Sequence, residues 1–245
     1  MPFTFSHPAA VLPFGYFPKR YFSMTGLVIG STAPDFEYFI RMKNRSYYSH
    51  SWTGLFWFDL PLVIILAFIY HGMVRNMFLD NLPDIFAKRV AVFKNFNWTS
   101  YFKRYFPAVI TSAIIGTASH IIWDGFTHHG GFFVKEFHVL RRTYQVVGYS
   151  IPAYEILQHL STVFGGLIII YVVLRLPVEK EFKRQRSIFL YWFYVGIITL
   201  IVVAIRALIG LQNHSFTFED LIMTIISGWL LGLILTPKVI TVLKI

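Results

Sequence analysis

The stretch IFLYWFYVGIITLIVVAIRALIGL, residues 188–211, decides the fold class, because Arg206 is its only charged residue. A helix of about 20 mostly apolar residues is long enough to cross the hydrocarbon core of a bilayer. Four further stretches meet this criterion or come close to it: residues 56–73, 106–123, 157–176 and 221–243. We therefore predict an all-α, polytopic integral membrane bundle with about five transmembrane helices.

The composition excludes a water-soluble globule. Hydrophobic residues make up 56% of the chain, charged residues only 14%, and the mean hydropathy is +0.57. Ordinary soluble domains carry about 25% charged residues. The sequence has no internal repeat, so we predict one membrane domain over residues 1–245. Residues 1–176 contain the polar motifs, and residues 177–245 are expected to form two anchoring spans.

A shorter apolar run, residues 24–33, is too short to cross a membrane. We predict that it forms a buried or half-inserted helix in an N-terminal segment that packs on the bundle. The absence of cysteine excludes disulfides, thiolate metal sites and cysteine nucleophiles.

The formal net charge of +10 would suggest a nucleic-acid partner for a soluble protein. Here the basic residues are concentrated in the connections 74–105 and 175–186, where the positive-inside rule and anionic headgroups account for them. We predict membrane lipid as a partner and no nucleic acid, and the oligomeric state stays open. These two connections are then cytoplasmic, whereas residues 125–156 and 212–220 are extracytoplasmic. The N-terminal segment through His50 is also outside, although its own basic residues oppose that placement.

Two histidine–carboxylate pairs have i, i+4 spacing: His120 with Asp124 in HIIWD, and Glu155 with His159 in EILQH. On a helix this spacing places both side chains on one face, one turn apart. Imidazole nitrogens and carboxylate oxygens are ordinary zinc ligands, and they must converge on the ion. Ionisable groups beside a span are costly and tend to be functional. Both pairs are therefore candidate metal ligands.

Further histidines and carboxylates fall on the same predicted side of the membrane. A catalytic zinc uses about three protein ligands, so the whole set suits two or three zinc ions, with manganese as an alternative. Such a site can activate water and clamp a phosphoryl group. The candidate metal ligands are His7, Asp35, His50, His120, Asp124, His128 and His159, and the candidate catalytic residues are Asp35 and Glu155.

A structural interpretation of these residues stays open. A lone histidine in an apolar helix usually serves packing or hydrogen bonding, and the Glu155–His159 pair can be a hydrogen bond at a helix start. Three other histidines have no carboxylate at a useful spacing, and we predict no chemistry for them: His71, His138 and His214.

Five segments together resemble an uncharacterised family of bacterial membrane proteins, domain-of-unknown-function family 4184, whose members resemble membrane-bound metal-dependent hydrolases. These segments are MPFTFSHPAAVLPF, GSTAPDFEYF, YSHSWTGLFWFDLP, HIIWDGFTHHGG and LQHLSTVFGG, and they cover roughly the first 175 residues. The resemblance implies a bacterial cytoplasmic-membrane protein with a metal site.

The ligand order is more distantly similar to that of the zinc-dependent phospholipase C and single-strand nuclease superfamily. That all-helical superfamily binds three zinc ions through His, Asp, His, HxxxD, His and HxxxE in chain order. This sequence offers the same order except that the last pair is reversed, as Glu155-xxx-His159. The resemblance implies hydrolysis of a phosphoester or lipid-like substrate.

Two function classes remain after these observations. The first is a membrane-embedded metal-dependent hydrolase in which Glu155 binds metal or acts as general base. The second is a non-enzymatic membrane protein whose His/Asp cluster holds a structural metal or a hydrogen-bonded plug. A transporter is disfavoured, since it would need a repeat or ionisable groups deep in the bundle.

Overall fold

The computed structural model describes residues 4–182, 184, 187–212 and 216–243. Several residues that entered the predictions above lie outside these described residues. They include Lys183 and Arg186 of the basic connection, and His214.

Five long apolar helices dominate the described part of the chain, and each is long enough to cross a membrane. The predicted all-α membrane bundle is therefore confirmed, and the chain is a multi-pass membrane protein. The five helices are α3 (Leu55–Asp80), α6 (Phe106–Thr127), α9 (Ala153–Arg175), α10 (Ile188–Gln212) and α11 (Phe218–Leu243).

Shorter elements connect and flank these spans. The short α-helices are α1 (Met24–Gly30), α2 (Phe36–Arg41), α4 (Asp84–Val90), α5 (Trp98–Arg104), α7 (Phe132–Glu136) and α8 (His138–Arg141). Single 3₁₀ turns cover Thr4–Ala10, Leu12–Tyr16, Ala33–Asp35 and Ala91–Asn95. One antiparallel hairpin, β1 (Thr143–Val146) and β2 (Tyr149–Pro152), precedes α9. This hairpin was not among the predicted elements.

The spans extend beyond the apolar runs that predicted them. Helix α3 continues past residue 73 to Asp80. In this extension the guanidinium of Arg75 donates hydrogen bonds to the backbone carbonyl oxygens of Phe96 and Lys94, at 2.6 and 2.9 Å, which compensates its charge. It also contains two π-helical segments, Leu55–Asp59 and Tyr70–Val74. Hydrophobicity alone does not detect a helix end whose polar residues are paired with backbone groups.

The backbone contacts divide the chain into two compact units that interleave along the sequence. Unit 1 comprises Met1–Asp35, Tyr48–Ile64 and Phe102–Val172. Unit 2 comprises Phe36–Tyr47, Ile65–Tyr101 and Val173–Ile245. All the candidate ligands predicted from the sequence belong to unit 1.

Unit 1 is organised by the packing of α1 on α6. At seven residues α1 is about 10 Å long, far short of a bilayer, and its Gly26, Leu27 and Gly30 are buried. The two backbones approach closely because small residues face each other: a Cβ on Gly30 would lie only 2.6 Å from the carbonyl oxygen of Ala113. Ser112 Oγ also accepts the backbone N–H of Ser23, the N-cap of α1, at 2.8 Å.

Unit 2 contains the antiparallel packing of α10 and α11. Their core is Val74, Tyr191, Val195, Leu233 and Ile240. The basic connection 74–105 is partly helical, since it contains α4 and α5.

Candidate metal centre

Four predicted ligands from three separate stretches of unit 1 converge on one point. Asp35 ends the 3₁₀ turn Ala33–Asp35, and His50 precedes α3. His120 and Asp124 lie one turn apart on α6. Asp35, His120 and Asp124 are buried, and His50 is half-buried. One ligand atom from each residue lies within 4.8 Å of the other three.

The four distances between a histidine nitrogen and a carboxylate oxygen in this four-residue cluster are similar. Nε2 of His50 lies 3.5 Å from Oδ1 of Asp35 and 3.5 Å from Oδ2 of Asp124. Nε2 of His120 lies 3.5 Å and 3.3 Å from the same two oxygens. Each histidine nitrogen thus faces one oxygen of each carboxylate.

This spacing is longer than that of direct charge-assisted hydrogen bonds and is compatible with metal coordination. Charge-assisted N–H···O bonds are about 2.7–2.9 Å long, clearly shorter than the four separations. Zinc–ligand bonds of about 2.0–2.1 Å in a tetrahedron place neighbouring ligand atoms about 3.3 Å apart. The four observed histidine–carboxylate separations of 3.3–3.5 Å are therefore close to the edge length of a coordination tetrahedron.

The protonation of His120 supports the same conclusion. Its Nδ1 lies 2.8 Å from the carbonyl oxygen of Ser31, which can only accept a hydrogen bond. Nδ1 therefore carries a proton, and Nε2 is the ring nitrogen that faces the two carboxylates, where it can bind either a proton or a metal ion. A backbone carbonyl on the second ring nitrogen is also the usual outer-shell partner of a metal-bound histidine.

Several buried polar atoms of unit 1 are left without a hydrogen-bond partner among the described residues. They are Nε2 of His7, Oδ1 of Asp35, Nε2 of His120 and Oδ1 of Asp124. Burying a polar group without a partner costs several kcal/mol, and such groups in native structures indicate an ion or a water. The donor set of imidazole nitrogens and carboxylate oxygens fits a divalent metal ion.

The second carboxylate oxygen of Asp124 faces two further histidines. Nε2 of His7 lies 3.7 Å from Oδ1, and Nδ1 of His128 lies 3.6 Å from it. The ring of His7 also stacks on that of His120, with centroids 3.9 Å apart. His128 Nδ1 also lies 3.1 Å from the backbone carbonyl oxygen of Asp124. Asp124 thus lies between two groups of potential ligands.

An outer-shell hydrogen bond that the sequence did not suggest holds Asp35. The hydroxyl of buried Thr4 donates to Oδ2 of Asp35 at 2.6 Å, which leaves Oδ1 to face the histidines. A threonine inside an apolar N-terminal segment carries no sequence signal for such a role.

The pKa values of the groups outside the spans follow from burial and from the carboxylates. Burial, together with nearby His120, lowers the pKa of His7 to about 4, so its ring is neutral at physiological pH. Burial alone would raise the pKa of Asp35, but His120 and His50 hold it well below its usual range. For His50 burial acts against the proton, yet the carboxylates of Asp124 and Asp35 outweigh it and raise the pKa.

The remaining predicted residues lie on α9 and in the segment after α6. Glu155 is half-buried and accepts a 3.4 Å hydrogen bond from Tyr154, and His159 is exposed. Neither belongs to the four-residue cluster among the described residues. Their predicted roles as base and ligand stay predictions.

The fold and the cluster define a class: a multi-pass membrane protein with a buried His/Asp group able to hold a metal ion. Residues 1–237 match the family model described as "Domain of unknown function (DUF4184)", and the chain belongs to that family. No curated protein and no solved structure matches the chain.

Proposed function

We propose that the protein is a membrane-embedded metal-dependent hydrolase that acts on a phosphoester or lipid-like substrate. The observation that carries the proposal is the position of His120 Nε2, which faces Asp35 and Asp124 at 3.5 and 3.3 Å while Nδ1 is held by the carbonyl oxygen of Ser31. Equal numbers of imidazole and carboxylate ligands suit zinc, with manganese as the alternative.

The donor atoms divide into two sets that share Asp124. The first set is the four-residue cluster, with Oδ2 of Asp124. The second set is Oδ1 of Asp124 with His7 and His128. Because a carboxylate can bridge two ions, the arrangement supports two ions rather than three. The first set is complete with four ligands, whereas the second has three and leaves room for water, as catalytic sites do.

Bound divalent ions would supply Lewis acidity and an acidified water that attacks at neutral pH. In hydrolysis the oxygen of water bonds to phosphorus, the ester P–O bond breaks, and the alcohol leaves with a proton. The residues of the chain hold the geometry: Ser31 and Thr4 fix the orientation of His120 and Asp35. Glu155, at the start of α9, is the proposed general base.

A lipid-like substrate on the extracytoplasmic side of a bacterial cytoplasmic membrane is part of the proposal. The site residues His120 and Asp124 lie in the second half of α6, which is long enough to span the bilayer. The excess of Lys and Arg in connections 74–105 and 175–186 favours cytoplasmic placement of those loops. The opposite end of α6 then faces outward.

A structural metal site is the second candidate, and one observation favours it. The cluster offers four ligands, three of them on buried residues, and closed four-ligand sites are usually structural. In that case the ion would fasten Asp35 and His50 to α6 without any turnover.

One set of variants separates the two candidates. The purified protein is loaded with zinc or manganese in lipid nanodiscs and assayed with nitrophenyl phosphate mono- and diesters and with a chromogenic phosphocholine ester. His7→Ala leaves the first set intact, so a hydrolase should keep one ion and its thermal stability but lose turnover. Absence of turnover in metal-loaded wild-type protein on every ester would refute the hydrolase and leave the structural site.

A further inference from the structure

The hairpin β1–β2 has one apolar and one polar face. Its register pairs Tyr144 with Ile151 and Val146 with Tyr149, and cross-strand partners share a face. Because side chains alternate along a strand, Gln145 and Ser150 lie on the opposite face. The alternation is that of a hairpin with one face against an apolar surface.

Most of this apolar face is left uncovered by the described chain, although Ile151 is half-buried. Tyr149 is 74% exposed, and Tyr144 and Val146 are also exposed. An isolated two-stranded hairpin is marginally stable in water. The apolar face therefore requires a partner outside the described residues.

The turn of the hairpin points to an apolar partner. Val147 and Gly148 both have positive φ, +48° and +84°, which is a two-residue turn of type I′. Asn-Gly or Asp-Gly is preferred there, and a β-branched residue at positive φ is unfavourable. Val147 is nevertheless at the tip and 92% exposed. Residue 147 thus carries an apolar, β-branched side chain although its backbone conformation disfavours one.

The location of the hairpin identifies that partner as the bilayer surface. β2 ends at Pro152 and the membrane-spanning α9 begins at Ala153, so the hairpin emerges where the chain enters the membrane. Arg141 and Arg142 lie directly before β1 and are exposed, which suits anionic headgroups. A second copy of the chain would bring these like charges together.

We propose that the hairpin lies on the membrane with its apolar face and Val147 inserted at the boundary between headgroups and acyl chains. Tyr144 and Tyr149 then occupy the interfacial level where tyrosine is enriched in membrane proteins. Arg141 and Arg142 contact lipid phosphates. This interaction surface does not depend on whether the protein binds metal.

The cysteine-free chain allows a direct test. Val147→Cys and Gln145→Cys are each labelled with a nitroxide in nanodiscs of phosphatidylcholine and phosphatidylglycerol, and the accessibility to oxygen and to a water-soluble nickel chelate is measured. The label at 147 should be several-fold more accessible to oxygen than to nickel, and the label at 145 the reverse. Equal nickel accessibility at both positions would overturn the proposal, as would spin–spin broadening at 147, which would indicate a second copy.

A second measurement uses no spin label, so its result cannot arise from disturbance of the hairpin by a label. Val147→Asn supplies the preferred turn residue but removes the apolar tip. Membrane docking predicts faster hydrogen–deuterium exchange over residues 143–152 in this variant than in wild type. A hairpin that is held only by its own turn would instead exchange more slowly, and that result would contradict the proposal.

Discussion

Nε2 of His120 lies 3.3 Å from Oδ2 of Asp124, one turn further along α6, while Nδ1 of the same ring is fixed by the carbonyl oxygen of Ser31. This arrangement points Nε2 at a carboxylate oxygen, at a separation that a divalent cation bound to both groups would fit.

The first prediction concerns His120 itself. His120→Ala removes one ligand of the four-residue cluster and should abolish stoichiometric metal binding by the purified protein, as measured by mass spectrometry of the bound metal. His138→Ala is the matched control, because His138 is exposed on α8 and should leave the metal content unchanged. Equal metal content in both variants would remove the cluster as the binding site.

The second prediction concerns the outer shell. Thr4→Val keeps the shape of the side chain but removes the 2.6 Å hydrogen bond to Asp35. Outer-shell substitutions typically weaken metal affinity about 10- to 100-fold, and we expect a loss in this range by competition with a chelator.

Thr111→Val serves as the control for Thr4→Val, because the exposed hydroxyl of Thr111 bonds only within its own helix among the described contacts. Its metal affinity should equal that of wild type. If Thr4→Val also leaves the affinity unchanged, the hydrogen bond to Asp35 has no part in metal binding.

The sequence predicted the fold class and the His120–Asp124 pair because both depend on local periodicity. Apolar runs of span length and i, i+4 spacing are visible without any tertiary structure. The approach of Asp35 to His120 could not be seen in the sequence, because it depends on the packing of α1 on α6 through residues such as Gly30 and Gly116. The hydrogen bond between His120 and the backbone carbonyl of Ser31 could not be predicted either, because every residue type carries a backbone carbonyl.

The hairpin, by contrast, had a sequence signal that the prediction missed. The alternation in TYQVVGYSI and the glycine at 148 are typical of two strands and a tight turn. Because the flanking segments have a strong helical pattern, residues 125–156 were predicted only as a connection between two spans. The short strands became apparent only when their register placed Tyr144 and Tyr149 on one face.

The third prediction is a stability maximum near pH 6.5 for the metal-stripped protein. His7 has a pKa of about 4 in the folded state, so the unfolded chain binds more protons between about 4 and 6.5 and stability rises with pH there. His50 has a raised pKa, so above 6.5 the folded state binds more protons and stability falls as pH rises. Asp35 stays ionised across this range and does not alter the sign.

Thermal unfolding in detergent across this pH range tests the third prediction. A metal ion must displace the proton on His50, so added zinc should stabilise the protein more on the alkaline side of 6.5 than on the acidic side. In His50→Gln the loss of stability above pH 6.5 should become smaller. A stability profile of the stripped wild type that keeps rising above pH 6.5 would contradict the assignment.

The fourth prediction links helix packing to the metal centre. A Cβ on Gly116 would collide with the carbonyl oxygen of Leu27 and lie 2.8 Å from the backbone nitrogen of Ser31, so Gly116→Ala must push α1 away from α6. Overpacking of this kind costs typically about 1–3 kcal/mol. The shift also moves the Ser31 carbonyl away from His120, so the variant should both unfold at lower temperature and bind zinc more weakly.

Gly166→Ala on α9 is the control, because nothing in the described structure lies within 4 Å of its added methyl group. A Gly116→Ala protein that is destabilised but retains wild-type zinc affinity would show that the orientation of His120 does not depend on the α1–α6 packing.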